Sequence, residues 1–233
     1  MPKNELEQHP FLDYQLASKE YDIKNTTVAI IGTFPIYEIT NSIESDENAR
    51  LIRTHWRKKA LFKYFYGSKE NHFWDILTKV FNVDFPKTKE DCLNILNENN
   101  LFISDTINSC FRENFDYQDS SLSIISLNLN LSEIIKEMAK LNLKKICFTS
   151  DLAKTLFCDI MSLKNSGRIQ TTIISGKQII LYTLPTPAGN GRSVWHFRND
   201  YPMNKNESFL KSNKMPYALQ YRNRIYTEVL TQV

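Results

Sequence analysis

The chain has 233 residues, of which 42% are hydrophobic and 24% charged, and its formal net charge at pH 7 is +3. This length suits one domain, residues 1–233, with a sizeable core, and 14 Phe and 11 Tyr residues exclude a disordered or low-complexity chain. No apolar run reaches the roughly 18–20 residues that cross a bilayer, and the start shows no signal or transit pattern. We therefore expect a cytoplasmic protein without a membrane partner.

The predicted elements begin with a buried strand at residues 26–33, a β-branched run that is followed by Pro35. A basic segment at about 45–63 follows as an insertion, predicted to form a helix. Aromatic and aliphatic residues then recur at helical spacing, which predicts a second helix that begins near Glu70.

The later elements alternate between helices and strands. They are a helix at 88–98 capped by Thr88, a strand at 101–107, a helix at 131–141 capped by Ser132, a strand at 144–150, a helix at 151–161 and a strand at 177–187. This alternation predicts a three-layer α/β/α fold with a central, four-stranded, mainly parallel sheet. Functional residues are expected just beyond the carboxyl ends of the strands, at one edge of the sheet. The core covers about 26–195, and about 196–233 form a C-terminal extension.

Two basic stretches without acidic residues are candidates for DNA contact. The first runs from Arg50 to Lys69 and the second from Lys211 to Arg224, and both contain aromatic residues. Cations neutralise phosphates and aromatic rings stack on bases, but the first stretch taken alone favours an amphipathic helix with a solvated basic face. The candidate phosphate contacts are Arg53, Arg57, Lys58 and Lys59.

Common catalytic signatures such as GxGxxG, GxxxxGK[ST], GxSxG and HExxH are absent. The four cysteines are too far apart for a metal-binding pair or a disulfide framework, so we expect them to be small buried residues and expect no metal or cofactor. The distinctive polar groups at the strand ends are GTFP (32–35), SKENHFW (68–74), ISDT (103–106), FTSD (148–151) and LPTPAGNGR (184–192).

These segments, in this order, resemble the uracil-DNA glycosylase superfamily, and within it the branch of mismatch-specific and hypoxanthine (deoxyinosine) DNA glycosylases. The resemblance covers about 26–195 and rests mainly on YFYGSKENHFW (64–74), with GTFP and LPTPAGNGR as the first and last loops. It implies a monofunctional, monomeric glycosylase that removes a deaminated or modified base from single- or double-stranded DNA without a cofactor.

The resemblance also assigns catalytic residues. Many members carry a catalytic Asp or Asn where this chain has Phe34, whereas the hypoxanthine branch looks to use the Asn that is Asn71 here. An amide can orient the attacking water without a titratable group. His72 is a candidate donor to the base, with packing at the start of the helix as the alternative.

Base recognition and DNA contact are assigned to the strand-end loops. The candidate substrate-binding residues are Gly32, Thr33, Phe34, Pro35, Tyr66, Asp105, Thr149 and Ser150. Phe34 and Tyr66 are candidates to stack on a flipped base, although core packing explains Tyr66 equally well, and Thr149, Ser150 and Asp105 have local capping or turn roles as alternatives. The last loop supplies the candidate DNA contacts Pro185, Thr186, Pro187, Asn190 and Arg192.

Two other functions stay open. Phe34 in the usual acid position favours a nucleic-acid or nucleotide-binding protein that has lost the chemistry. The basic insertion and the shortened last loop favour a glycosylase that acts on foreign, modified DNA.

The basic insertion generates the first prediction. If Arg53, Arg57, Lys58 and Lys59 contact phosphates, neutralising all four should weaken DNA binding uniformly across sequences. The slope of log affinity against log salt concentration should then flatten by about 0.9 for each phosphate that the protein no longer neutralises. Binding measured over a salt series tests this, and an unchanged slope would assign the insertion to a solvated helix face.

Overall fold

A computed structural model describes residues 6–12, 20–35, 62, 64–68, 71–112, 119–188, 192–201 and 215–232. In chain order the elements are β1 (Leu6–Gln8), β2 (Val28–Gly32), α1 (Phe73–Phe81), α2 (Lys89–Glu98), β3 (Leu101–Asp105), β4 (Ile107–Arg112), β5 (Leu122–Leu127), α3 (Asn130–Lys140), β6 (Lys145–Phe148), α4 (Asp151–Met161), β7 (Ile169–Ile174), β8 (Lys177–Thr183) and α5 (Met215–Thr231). Short 3-10 helices cover Asp119–Ser121 and Arg192–Phe197. The basic helix expected at about 45–64 lies almost wholly outside the described residues.

The main sheet has the order β3-β2-β6-β8-β7. The first four strands are parallel to one another, and β7 pairs antiparallel with β8. The predicted α/β fold with a mainly parallel central sheet flanked by helices is therefore confirmed, but the sheet has five strands instead of four.

The fifth strand, β7, is an edge strand with a largely solvent-facing pattern, which is why a search for buried apolar runs misses it. Ile173, for example, is 71% exposed. Ser175 and Gly176, both with positive φ, join β7 to β8, as a two-residue hairpin turn requires. The Ser-Gly pair was thus the local signal for this hairpin.

Two of the predicted helix caps are confirmed, and a third is wrong. Thr88 and Asp91 form a reciprocal capping box at α2, and Ser150 caps α4 by accepting a hydrogen bond from the backbone of Ala153. The predicted cap Ser132 is wrong, because α3 begins at Asn130 and the Ser132 hydroxyl donates to the Leu129 carbonyl within the first turn.

A second sheet, with the antiparallel order β1-β4-β5, adjoins the main one. The strand predicted at 101–107 is in fact divided at Thr106, where the chain leaves the main sheet. The backbone amides of Thr106 and Ile107 donate to the carbonyls of Gly32 and Thr33, each at 3.0 Å. These bonds hold the start of β4 against the end of β2, and so they fix one sheet to the other.

A buried ion pair ties the second sheet to the loop that follows β2. Arg112 donates to Glu7 at 2.9 Å and 3.3 Å, and also to the Pro35 carbonyl at 2.6 Å. Both charged residues are buried. The guanidinium therefore joins β1, β4 and the GTFP loop at one point.

The C-terminal helix α5 packs against α1 and the last loop, and this buries two residues of the second basic stretch. Tyr221 and Arg222 are fully buried. The Tyr226 hydroxyl donates to the Pro185 carbonyl at 3.1 Å, and Arg222 donates to the Ala188 carbonyl at 2.9 Å. A DNA-contacting role for Tyr221 and Arg222 is wrong for this reason.

The four cysteines are free and buried, as predicted. Burial raises the pKa of the Cys110 thiol to about 11 and that of Cys147 to about 12. Within the part of the chain that the structure describes, no helix is long and apolar enough to cross a membrane.

The Glu7–Arg112 pair generates the second prediction. Arg112→Met leaves the Glu7 carboxylate buried without its main cation, so we expect the free energy of unfolding to fall by about 3–5 kcal/mol. Denaturant unfolding of Arg112→Met, Glu7→Leu and the double variant tests this. The double variant should lose less stability than the sum of the single losses, and additive losses would contradict the pairing.

Candidate active site

The carboxyl ends of β2, β3 and β6 bring several predicted residues to one edge of the main sheet. Gly32 and Asp105 are directly paired in register, and the Thr149 amide donates to the Ile31 carbonyl at 3.0 Å. This is the edge at which open α/β sheets bind ligands. Gly32, Asp105 and Thr149, predicted as substrate-binding, therefore lie side by side.

Asp105 is the most unusual group at this edge, because its carboxylate is buried but only half satisfied. The residue is 3% exposed, and its Oδ2 lies 2.9 Å from Nε2 of His9. Its Oδ1 has no hydrogen-bond partner. The Asn128 side chain donates a hydrogen bond to the backbone carbonyl of Asp105 at 2.9 Å, which fixes the turn that follows β3. One carboxylate oxygen is thus anchored while the other is buried without a hydrogen-bond donor.

Gly32 is required here because other side chains approach its Cα closely. A β-carbon at this position would overlap with Asp105 Oδ1 and with the Tyr66 hydroxyl. Both polar atoms therefore point at the same place, over the end of β2. Any side chain at position 32 would displace these two groups.

Tyr66 reaches this place from the segment before α1. Its hydroxyl lies 3.0 Å from the Thr149 hydroxyl, and its ring stacks on Phe73 with centroids 4.3 Å apart. Burial and then the nearby charge of Asp105 raise the pKa of Tyr66 well above its usual value, so the hydroxyl stays protonated. One face of the ring predicted to stack on a base is therefore occupied by Phe73.

Thr33 and Ser150 converge on a second carboxylate, that of Asp119. The Thr33 hydroxyl donates to Asp119 Oδ1 at 2.8 Å, and the Ser150 side chain hydrogen-bonds the same carboxylate. Burial raises the pKa of Asp119, the hydrogen bonds from Thr33 and Ser150 oppose that rise, and the charge of Asp105 adds to it. The two carboxylates therefore belong to one electrostatic site.

Phe34 and Pro35 make protein contacts. Phe34 is half-buried and packs against a small apolar cluster that includes Ile107, Cys110 and Leu156. The Pro35 carbonyl is held by Arg112, as described above. Stacking of Phe34 on a base stays a prediction.

Asn71 and His72 lie at the start of α1, beside the last loop. The Asn71 side-chain oxygen accepts a hydrogen bond from the Phe73 amide at 2.9 Å, and Asn71 forms an antiparallel bridge with Ala188. The His72 amide donates to the Pro187 carbonyl at 3.0 Å, while its ring lies 3.3 Å from Asp75. These contacts support the structural alternative for His72 and give Asn71 a capping role at the helix start.

The remaining predicted DNA contacts are only partly described. The Pro185 and Pro187 carbonyls are held by Tyr226 and His72, and the Thr186 hydroxyl accepts from the Ala188 amide at 3.3 Å. The residues that lie outside the described part of the chain are Arg53, Arg57, Lys58, Lys59 and Asn190, and of Arg192 only the backbone is described. The last loop is therefore fixed to α5 on one side and to the Asn71 segment on the other.

Sequence reasoning missed two site residues, His9 and Asp119. His9 directly follows β1, for which no element was predicted, and it lies 96 positions from Asp105. Asp119 lies in the polar connection between β4 and β5. Neither position belongs to a local motif, so only the pairing of β1 with β4 and the return of the chain into β5 bring them to the site.

No three His, Cys, Asp or Glu side chains of the described ranges are grouped so that they could hold a metal ion. A surface cavity of about 500 Å³ lies at the opposite, amino-terminal edge of the main sheet. Its lining residues are Tyr21, Asp22, Ile23, Lys24, Glu137, Lys140 and Leu141. It does not include any of the strand-end residues above.

No family model matches the chain, and no curated protein matches it. The solution NMR structure of a protein from Methanosarcina acetivorans, described as a "putative Uracil DNA glycosylase", matches 91% of this chain and 95% of its own, at 18% identity and a TM-score of 0.45. Similarity at this level does not establish a shared fold or function. It gives no support to the hypoxanthine branch in particular, which stays a prediction.

Asp119 generates the third prediction. Because its pKa is raised in the folded protein, Asp119 contributes stability that is present below the ordinary aspartate pKa and lost as pH rises through the folded value. Asp119→Asn removes this dependence, so the variant should gain stability relative to wild type as pH rises above the ordinary aspartate pKa of about 4.

Urea unfolding at several pH values measures this difference. Asp159→Asn, which makes the same change on the exposed face of α4, is the matched control and should shift little. A stability difference between Asp119→Asn and wild type that is constant with pH would contradict the raised pKa.

Proposed function

We propose that the protein is a DNA glycosylase that hydrolyses the N-glycosidic bond of a deaminated or otherwise modified base. The observation that carries the proposal is the buried Asp105 carboxylate, with Oδ2 held by His9 and Oδ1 without a partner. A buried acceptor without a donor costs free energy unless a ligand or a water supplies one. Its place at the carboxyl edge of a parallel sheet supports a ligand site there.

The chemistry requires one group that orients and deprotonates a water. In the proposed reaction the water oxygen bonds to the anomeric carbon of the sugar while the bond from that carbon to the base nitrogen breaks. The electron pair of the broken bond leaves with the base, and Asp105 Oδ1 accepts the proton from the water. The carboxylate also stabilises the positive charge that develops on the sugar.

The leaving base needs neutral donors for its developing negative charge. The hydroxyls of Tyr66 and Thr149 lie beside Asp105, and Tyr66 stays protonated because its pKa is raised. Such fixed donors stabilise an anion without having to reorganise. Asn71 and the last loop are proposed to contact the DNA around the flipped nucleotide.

A binding protein without chemistry is the second candidate. It is favoured by the packing of Phe34 in the apolar cluster and by the use of the Asn71 oxygen at the start of α1, since both groups have structural roles. In this candidate the unpartnered oxygen of Asp105 would accept a hydrogen bond from the bound ligand without taking up a proton.

Asp105→Asn generates the fourth prediction. The amide cannot accept the proton of the water, so we expect the single-turnover excision rate to fall by about 10²–10⁴-fold, the typical contribution of a general base, while affinity for DNA is kept. The substrates are single- and double-stranded oligonucleotides that carry uracil, hypoxanthine, xanthine or a bulkier modified base, and alkaline cleavage reports excision. Asp159→Asn is the matched control.

The outcomes separate the two candidates. DNA binding by the wild-type protein without excision of any base would favour the binding protein. Excision that survives in Asp105→Asn but is lost in Asn71→Ala would move the catalytic role to Asn71. In that case Asn71→Asp, which keeps the oxygen that caps α1, distinguishes catalysis from helix capping.

A further inference from the structure

His9 makes one of the best-shielded polar contacts in the described structure, and it makes it with the proposed catalytic carboxylate. Its side chain is 0% exposed, and its Nε2 lies 2.9 Å from Asp105 Oδ2. The rings of Phe11, Phe34 and Phe65 surround the imidazole at centroid distances of 5.9, 5.5 and 5.4 Å. Solvent therefore does not compete for this hydrogen bond, and the rings restrict rotation of the imidazole.

The second ring nitrogen determines the direction of the hydrogen bond. The backbone amide of Phe11 donates to His9 Nδ1 at 3.2 Å, so Nδ1 carries a lone pair. The proton of the neutral ring is then on Nε2, which donates to Asp105 Oδ2. The chain itself selects this tautomer, because the donor is a backbone group two residues away.

The second sheet determines where the imidazole lies. The His9 amide donates to the Asn108 carbonyl at 2.9 Å, which continues the pairing of β1 with β4 by one residue. Asn108 is three positions beyond Asp105 on the same strand connection. The backbones of both partners are thus held by sheet hydrogen bonds on either side of Thr106.

We propose that His9 is a positioning residue for the glycosylase reaction. By holding Oδ2, it fixes the carboxylate plane of Asp105 and so the position of Oδ1 beside Gly32, the atom proposed to accept the proton of the reacting water. This inference rests on the proposed function and assigns a role to a residue outside every recognised motif of the chain.

Single-turnover excision by His9→Leu and His9→Gln tests the inference. Leucine removes the donor and leaves Asp105 free to rotate, and a misplaced catalytic group typically costs about a hundredfold in rate. Glutamine offers a side-chain N–H at similar reach, so we expect it to restore the rate to within about tenfold of wild type. His196→Leu, at an exposed histidine, is the matched control and should keep the wild-type rate.

A double variant separates positioning from general stability. In an Asp105→Asn background, His9→Leu should cause no further loss of rate, because the two residues act as one unit. Affinity for DNA and the fraction of folded protein are measured for each variant. Equal losses in His9→Leu and His9→Gln, or a loss that only follows the folded fraction, would overturn the inference.

A spectroscopic measurement makes the test independent of activity. The ¹⁵N chemical shifts of the His9 ring should show the proton on Nε2, and a proton on Nδ1 would overturn the inference. If the wild type excises a base and His9→Leu excises it at the same rate, the positioning role of His9 is refuted but the proposed function is not. Absence of excision by the wild type on every substrate refutes the proposed function, and the positioning role with it.

Discussion

The burial of one carboxylate is the constraint on which the rest of this site depends. Removing a charged group from water is costly unless hydrogen bonds replace the lost solvent. Around Asp105 the chain supplies an imidazole donor and shielding aromatic rings, and it omits a side chain at Gly32. The break between β3 and β4 at Thr106 follows from the same requirement, because it lets a second sheet bring the donor to the end of the first.

The second sheet therefore helps to build the candidate site as well as the fold. On its own, a three-stranded antiparallel sheet with largely exposed outer residues buries little apolar surface. It is secured instead by the Glu7–Arg112 pair and by the backbone bonds to Gly32 and Thr33. Those contacts converge on the loop after β2, so the stability of this sheet and the geometry of the strand ends are coupled.

The sequence predicted those features that depend on neighbours along the chain. The apolar run of β2, the capping box of α2 and the cap of α4 are local, and so is the rule that places Gly32, Asp105 and Thr149 at one edge. Partners from distant segments were not predictable in this way. His9, Asp119 and the buried Arg222 have no periodic or spaced pattern, because tertiary pairing alone decides what surrounds them.

The separation of His9 and Asp105 by 96 positions also bears on the order of folding. Strands β2, β3 and β6 can pair, and their helices can pack, before the amino-terminal segment joins β4. Closing such a long loop has an entropic cost that local helices and hairpins do not carry, so contacts of this range tend to form late. We expect a folding chain to acquire its core first and the His9–Asp105 contact last, and local unfolding of the amino-terminal strand to break that contact while leaving the main sheet intact.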